Sequence, residues 1–227
     1  MVQSIPFNYV KKNWLLLIAH IASLLPLILL IWDYATGGLG FNPIQEATFR
    51  SGKYALVLLV LSLAVTPLNM ATGWREVVPL RKWFGLYAFM YVCVHFLIFV
   101  ALDYVLDPQL IYQAIFEKPY ALVGFAAFLL LVPLAITSTK GWMKRLGKNW
   151  KRLHRLVYAV MVLGLLHYIW VQKSDIREPL IWTALVVGLY VLRIPAVRQP
   201  IIRWRQKLTQ QRRQRQLEQA RATTNKM

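Results

Sequence analysis

The chain has 227 residues, of which 58% are hydrophobic and only 16% charged, and its mean hydropathy is +0.45. It nevertheless carries 27 Lys+Arg against 9 Asp+Glu, a formal net charge of +18. A soluble nucleic-acid binder is not this greasy and an ordinary soluble core protein is neither, so the two values together point to an integral membrane protein with a basic cytoplasmic side. The single cysteine, Cys93, excludes an internal disulfide framework and a multi-cysteine metal cluster.

Windows free of Asp, Glu, Lys and Arg run, in chain order, over 13–32, 54–74, 83–102, 119–139, 156–172 and 179–192. A spanning helix needs about 20 mostly apolar residues, with a range of about 17–25. The first five windows qualify by length. The sixth has 14 residues and reaches the required length only if Arg193 snorkels and the helix continues through Ile194. The expected fold is therefore all-α, a polytopic six-helix membrane bundle over residues 13–195, flanked by a short N-terminal segment (1–12) and a basic tail (196–227). Trp14 and Trp32 mark the two ends of the first window, where interfacial aromatics belong. No small-residue cleavage pattern follows that window, so it reads as a retained anchor. Pro67 and Pro133 fall late in windows two and four and are expected to kink or end those helices. No internal repeat stands out in the sequence.

With the N-terminus placed inside, the inner segments hold 22 basic residues and 2 acids, and the outer loops hold 5 basic residues and 7 acids. The positive-inside rule then places both termini in the cytoplasm. The tail segment Gln210-Gln211-Arg212-Arg213-Gln214-Arg215 reads either as an anchor on anionic lipid or as a solvated determinant of topology. Nucleic-acid binding is not expected, because no reading module accompanies the charge.

Once acids and bases are expelled from the windows, histidines are the ionisable residues that remain: His20, His95 and His167 within them, and His154 just before the fifth. Helices three and five run in the same direction. His95 lies 12 residues past Trp83 and His167 lies 11 past Leu156, so both imidazoles arrive roughly 16–18 Å into the membrane. One neutral imidazole on each face of a flat macrocycle is what axial haem ligation requires. His154 precedes His167 by 13 residues, which in an ideal helix puts the two on different faces. Either the helix is distorted between them or they address different neighbours. His20, about 10 Å into helix one, reads first as an interhelical hydrogen-bonding residue. Zinc is a weaker explanation, since it wants three or four grouped ligands.

Several segments carry a resemblance. They are Gly37-Gly38-Leu39-Gly40 with Pro43; Thr66-Pro67-Leu68; Leu80-Arg81-Lys82 with Gly85-Leu86; His95; Lys118-Pro119-Tyr120; and Thr137-Ser138-Thr139. The most specific run is Leu146-Gly147-Lys148, Trp150, Leu153-His154-Arg155 and Val157-Tyr158, followed by His167-Tyr168 and Trp170. In this order and spacing, residues 14–195 resemble the MsrQ (YedZ) family, haem-binding membrane subunits of a protein-methionine-sulfoxide reductase system within the ferric-reductase-like transmembrane group. The resemblance implies a bacterial inner-membrane protein that carries one or two b-type haems, with flavin mononucleotide (FMN) also assigned. It implies electron transfer from the quinone pool, or from a cytosolic flavin reductase, to a periplasmic molybdopterin-containing catalytic subunit that repairs methionine sulfoxide. No catalytic site of the chain's own is expected.

The haem ligands implied by the resemblance are His95, His154 and His167. Larger ferric-reductase relatives carry a second histidine on the third helix where this chain has Arg81, fourteen residues before His95. Either His20 completes a second site, or Arg81 pairs with haem propionates. Residues 196–227 hold no glycine-rich dinucleotide fingerprint, so reducing equivalents are expected from another carrier. The competing expectation is a small six-span transporter or channel with structural histidines, although such proteins more often show intramembrane acids or broken glycine-rich helices.

Overall fold

The computed structural model describes residues 7–172 and 175–224, so Lys173 and Lys226, both counted in the charge balance above, lie outside the described residues. Among the described residues ten α-helices follow one another: α1 (Phe7–Thr36), α2 (Pro43–Thr72), α3 (Leu80–Ile98), α4 (Pro108–Glu117), α5 (Pro119–Ile136), α6 (Lys140–Leu146), α7 (Lys148–Leu153), α8 (Leu156–Val171), α9 (Arg177–Val191) and α10 (Pro195–Thr224). Among the described residues, five stretches are long and apolar enough to cross a membrane: Trp14–Thr36, Pro43–Thr72, Arg75–Asp103, Pro119–Ile136 and Lys148–Val171. A sixth forms only if α9 and α10, bent by 70° at the intervening break, are taken as one.

The charge-free windows place these helices well but mark α2 too short. Asn42 caps it by accepting the Gln45 N–H at 3.2 Å, and Pro43 occupies the first turn, where its missing N–H costs nothing. The helix therefore begins eleven residues before its charge-free window. The charges in this extension are paired: Arg50 reaches Asp33 and Glu46, each at 2.7 Å, and Lys53 reaches Glu178 at 2.6 Å. At the other end Gly73, with φ 77°, stops the helix in a left-handed conformation that an L side chain would resist.

Pro67 neither ends nor breaks α2. Having no N–H, it leaves the Leu63 carbonyl without its helical donor, and the Arg193 guanidinium supplies one instead. Arg193 thus has a specific partner within the bundle, beyond the snorkelling expected of it. Pro133 lies one turn before the end of α5, where Thr137 Oγ donates to its carbonyl at 2.6 Å.

The core lies where α2, α3, α5, α8 and α9 meet, around Tyr91 and Met161, both wholly buried. α1 packs on the outside of the α2–α3 pair, tied by the Tyr91 hydroxyl donating to the Ser23 carbonyl at 2.8 Å. Two features of this arrangement go beyond the sequence expectations. The loop between α3 and α5 contains the short helix α4, capped by Asp107. The basic tail is helical, and Arg205 donates to the Asn69 and Met70 carbonyls at 3.0 Å, capping the carbonyl end of α2.

Candidate functional site

His95 sits in the last turn of α3, just before that helix widens into a π-turn over Phe99–Asp103. Its Nδ1 lies 2.9 Å from the Thr48 carbonyl on α2. His167, near the end of α8, places its Nδ1 2.7 Å from the Tyr120 carbonyl on α5. A carbonyl only accepts, so in each ring Nδ1 carries the proton and donates. The neutral imidazole then keeps its lone pair on Nε2, as in metal-ligating histidines fixed by an outer hydrogen bond. Ser51 Oγ stands 3.5 Å from His95 Nδ1 but spends its own proton on the Ala47 carbonyl at 2.8 Å, so it does not change this assignment.

The two bonds follow one register. In both, the carbonyl precedes the histidine by 47 residues. A glycine four residues after each carbonyl lets the ring close against the helix: a Cβ at Gly52 would stand 3.2 Å from His95 Nδ1, and one at Gly124 2.7 Å from His167 Nδ1. α2–α3 and α5–α8 are thus two copies of one cradle, offset by 72 residues. Thr48, Gly52 and Gly124 escape the sequence reading, and Tyr120 enters it only within a resemblance motif, without a role. The signal that finds them is the common 72-residue offset of three pairs: Thr48/Tyr120, Gly52/Gly124 and His95/His167.

The two imidazoles meet across one cavity of about 640 Å³, with ring centres 6.0 Å apart and planes at 86°. Metal–imidazole bonds of about 2.0–2.1 Å, as at zinc, put two ring centres on opposite sides of one ion roughly 6 Å apart. The spacing therefore fits a single ion between them. The walls are mostly apolar and aromatic, Phe96, Phe125 and Phe128 among them, and the polar lining includes Asn42, Gln45, Lys53 and Asp103. A flat, largely apolar macrocycle with a charged edge fits such a space, within the usual volume range of cofactor pockets.

The other expected residues stand apart from this pair. The α7–α8 helix is distorted at His154 and Arg155, which form a turn between the two segments. His154 Nε2 lies 3.1 Å from Thr137 Oγ, whose proton is already given to the Pro133 carbonyl, so here Nε2 is the donor. The ring stacks on Trp150 with centres 4.0 Å apart, and the Arg81 guanidinium is within electrostatic range. Arg81 itself reaches Thr66 Oγ at 3.4 Å. His20 hydrogen-bonds the Tyr87 hydroxyl at 2.8 Å and packs edge-on against Trp83, bridging α1 and α3 as its interhelical reading expects.

Residues 51–165, which hold both cradles except for Thr48 and His167, match the family model described as ferric reductase like transmembrane component. A protein from Xanthomonas axonopodis pv. citri is 44% identical over 183 residues, covering 78% of this chain and 84% of its own. One from Rhodospirillum rubrum is 46% identical over 180 residues, covering 78% of this chain and 86% of its own. Both bear the name protein-methionine-sulfoxide reductase heme-binding subunit MsrQ. No solved structure matches the chain significantly. An all-α membrane bundle, the family-model match and relatives of this identity agree, and the chain belongs to the MsrQ family of ferric-reductase-like transmembrane components.

Proposed function

We propose that this chain is the transmembrane electron-transfer subunit of a protein-methionine-sulfoxide reductase system, holding b-type haem between His95 and His167. One observation carries this reading: two imidazoles, each with Nδ1 committed to a backbone carbonyl, face one cavity with both Nε2 lone pairs free. When bound, the haem supplies one-electron chemistry, and the protein sets its potential through ligation and burial.

The chain's own residues do the rest. The carbonyls of Thr48 and Tyr120 hold the rings in one tautomer and make Nε2 more basic. The phenylalanine wall would keep water from a haem seated there, while Lys53, already paired with Glu178, stays on the polar rim of the cavity. His154 and Arg81 lie toward the ends of α8 and α3 opposite to those that carry His167 and His95, and they would serve a second haem. His20 stays an interhelical contact.

In this reading both termini lie in the cytoplasm and the membrane is the bacterial inner membrane. The quinone pool or a cytosolic flavin reductase is the donor, with FMN as a further cofactor. A periplasmic molybdopterin-containing catalytic subunit is the acceptor, and the basic tail rests on anionic lipid. Visible absorption of the purified protein tests the core of the reading. A Soret band that sharpens with dithionite, lost in His95→Ala and in His167→Ala, is the expected result. A colourless protein after haem-replete expression overturns it.

A further inference from the structure

A second cavity, of about 270 Å³, lies between α1, α2 and α3, and the Tyr54–Tyr91 ring pair lines it. Its walls are apolar and include Leu58, Leu61 and Phe84. Three hydroxyls break that pattern, those of Tyr54, Tyr91 and Ser23, and the Tyr91 hydroxyl is spent on the Ser23 carbonyl. Ser23, only 2% exposed, lines the cavity, and its Oγ has no hydrogen-bond partner. A buried hydroxyl left unsatisfied is costly, and serine normally avoids the cost by bonding back to its own helix. Beside it, Ala22 also lines the cavity. Its carbonyl lacks the regular helical donor, because that position is Pro26.

Depth narrows the class of molecule that satisfies this hydroxyl. Ser23 is nine residues from Trp14 and thirteen from Thr36, about 14 Å and about 20 Å from the two ends of its span. With a hydrocarbon core about 30 Å thick, it lies near the middle. Phospholipid ester carbonyls stay at the interface, and an acyl chain at this depth offers no acceptor. The occupant must be soluble in hydrocarbon, ring-sized and furnished with a carbonyl oxygen. Tyr91, which lines this cavity, precedes His95 by one helical turn, about 6 Å along the axis.

We propose that the α1–α2–α3 cavity seats the ring of a membrane quinone, with the Ser23 hydroxyl donating to one quinone carbonyl and the apolar tail leaving toward lipid beside α1. Binding needs only this cavity; its meaning as the place where the donor docks rests on the electron-transfer reading above.

A photoactivatable azidoquinone added to the full chain in nanodiscs, with cross-links mapped by mass spectrometry, tests the seat directly. Labels on residues 15–26 or 54–61 are expected. Decylubiquinone affinity should fall about fivefold to tenfold in Ser23→Ala, the usual worth of one hydrogen bond. It should be lost in Ala22→Phe, which fills the cavity from its lipid side, while the haem spectrum of both variants stays that of the parent. Labels confined to other helices overturn the proposal, as does an affinity that neither variant changes. The two readings fail separately. A haem-free protein that still labels on α1 removes electron transfer and keeps the seat, whereas a haem-loaded protein without the label removes the seat alone.

Discussion

On the α2–α3 side the Thr48 carbonyl lies 2.9 Å from His95 Nδ1, and a Cβ at Gly52 would stand 3.2 Å from that nitrogen. On the α5–α8 side both distances are 2.7 Å, and a Cβ at Gly124 would also come within 2.9 Å of the ring's Cε1. The register is the same but the clearance is not. Tight packing leaves His167 no freedom to shift without losing its carbonyl, whereas His95 has a few tenths of an ångström and a second polar neighbour in Ser51. A duplicated cradle can thus hold one ligand rigidly and the other with some give.

The largest effect expected of any change is removal of either ring. His95→Ala and His167→Ala should each abolish the reduced-minus-oxidised signal of the haem held by this pair. His154→Ala should leave the absorbance that depends on the pair, because its ring takes no part in the cavity they share. A spectrum that survives in His167→Ala but vanishes in His154→Ala would mean that the iron sits elsewhere.

Next comes Gly124→Ala. Alanine is favoured over glycine inside a helix by about 0.5–1 kcal/mol, so propensity alone predicts a more stable protein. A contact of 2.7 Å forces the His167 ring away instead, and haem content per protein should fall several-fold while the helix content by circular dichroism is kept. Gly52→Ala sharpens the contrast. Its 3.2 Å contact is relieved by a small torsion of the His95 side chain, costing about 0.5–1.5 kcal/mol. That strain roughly cancels the propensity gain, so haem content should stay near the parent's. Equal losses in the two variants would show that the two cradles do not differ.

Much of the scaffold was legible because lipid tolerates so few charges. Windows without them mark five spanning helices, and the histidines left behind include both rings of the pair. The same rule hid half of the site. Glu46, Arg50 and Lys53 end the second charge-free window at Tyr54, yet α2 continues to Pro43, since Asp33 and Glu178 neutralise the two bases. Thr48, Ser51 and Gly52, all of which touch or approach His95, lie in that stretch. Gly124 was invisible for another reason: a lone glycine in an apolar helix has no chemistry to notice. The depth estimate from helical rise brought His95 and His167 together correctly, because both α3 and α8 stay regular up to their histidine. His154 could not be placed by that arithmetic, since the turn at His154–Arg155 interrupts the helix on which the rotation was counted.

The smallest predicted effect concerns the proline of each half. In α5, Pro133 leaves the Leu129 carbonyl without its helical donor at a residue exposed on the outside of the bundle. In α2, Pro67 leaves the Leu63 carbonyl unpaired within the bundle, and Arg193 on the far side of the chain answers it. Arg193→Met keeps the apolar stem and removes the donor, which should cost about 1–3 kcal/mol and lower the melting temperature by several degrees with the haem spectrum unchanged. Pro67→Ala restores an N–H to the Leu63 carbonyl, so the same Arg193→Met change should cost markedly less in that background. A double-mutant cycle measured by thermal unfolding reads this difference as a coupling energy. Coupling indistinguishable from zero would mean that Arg193 stabilises the bundle through its cation–π contact with Tyr158, 5.6 Å to the ring centre, and that α2 bears its proline without help.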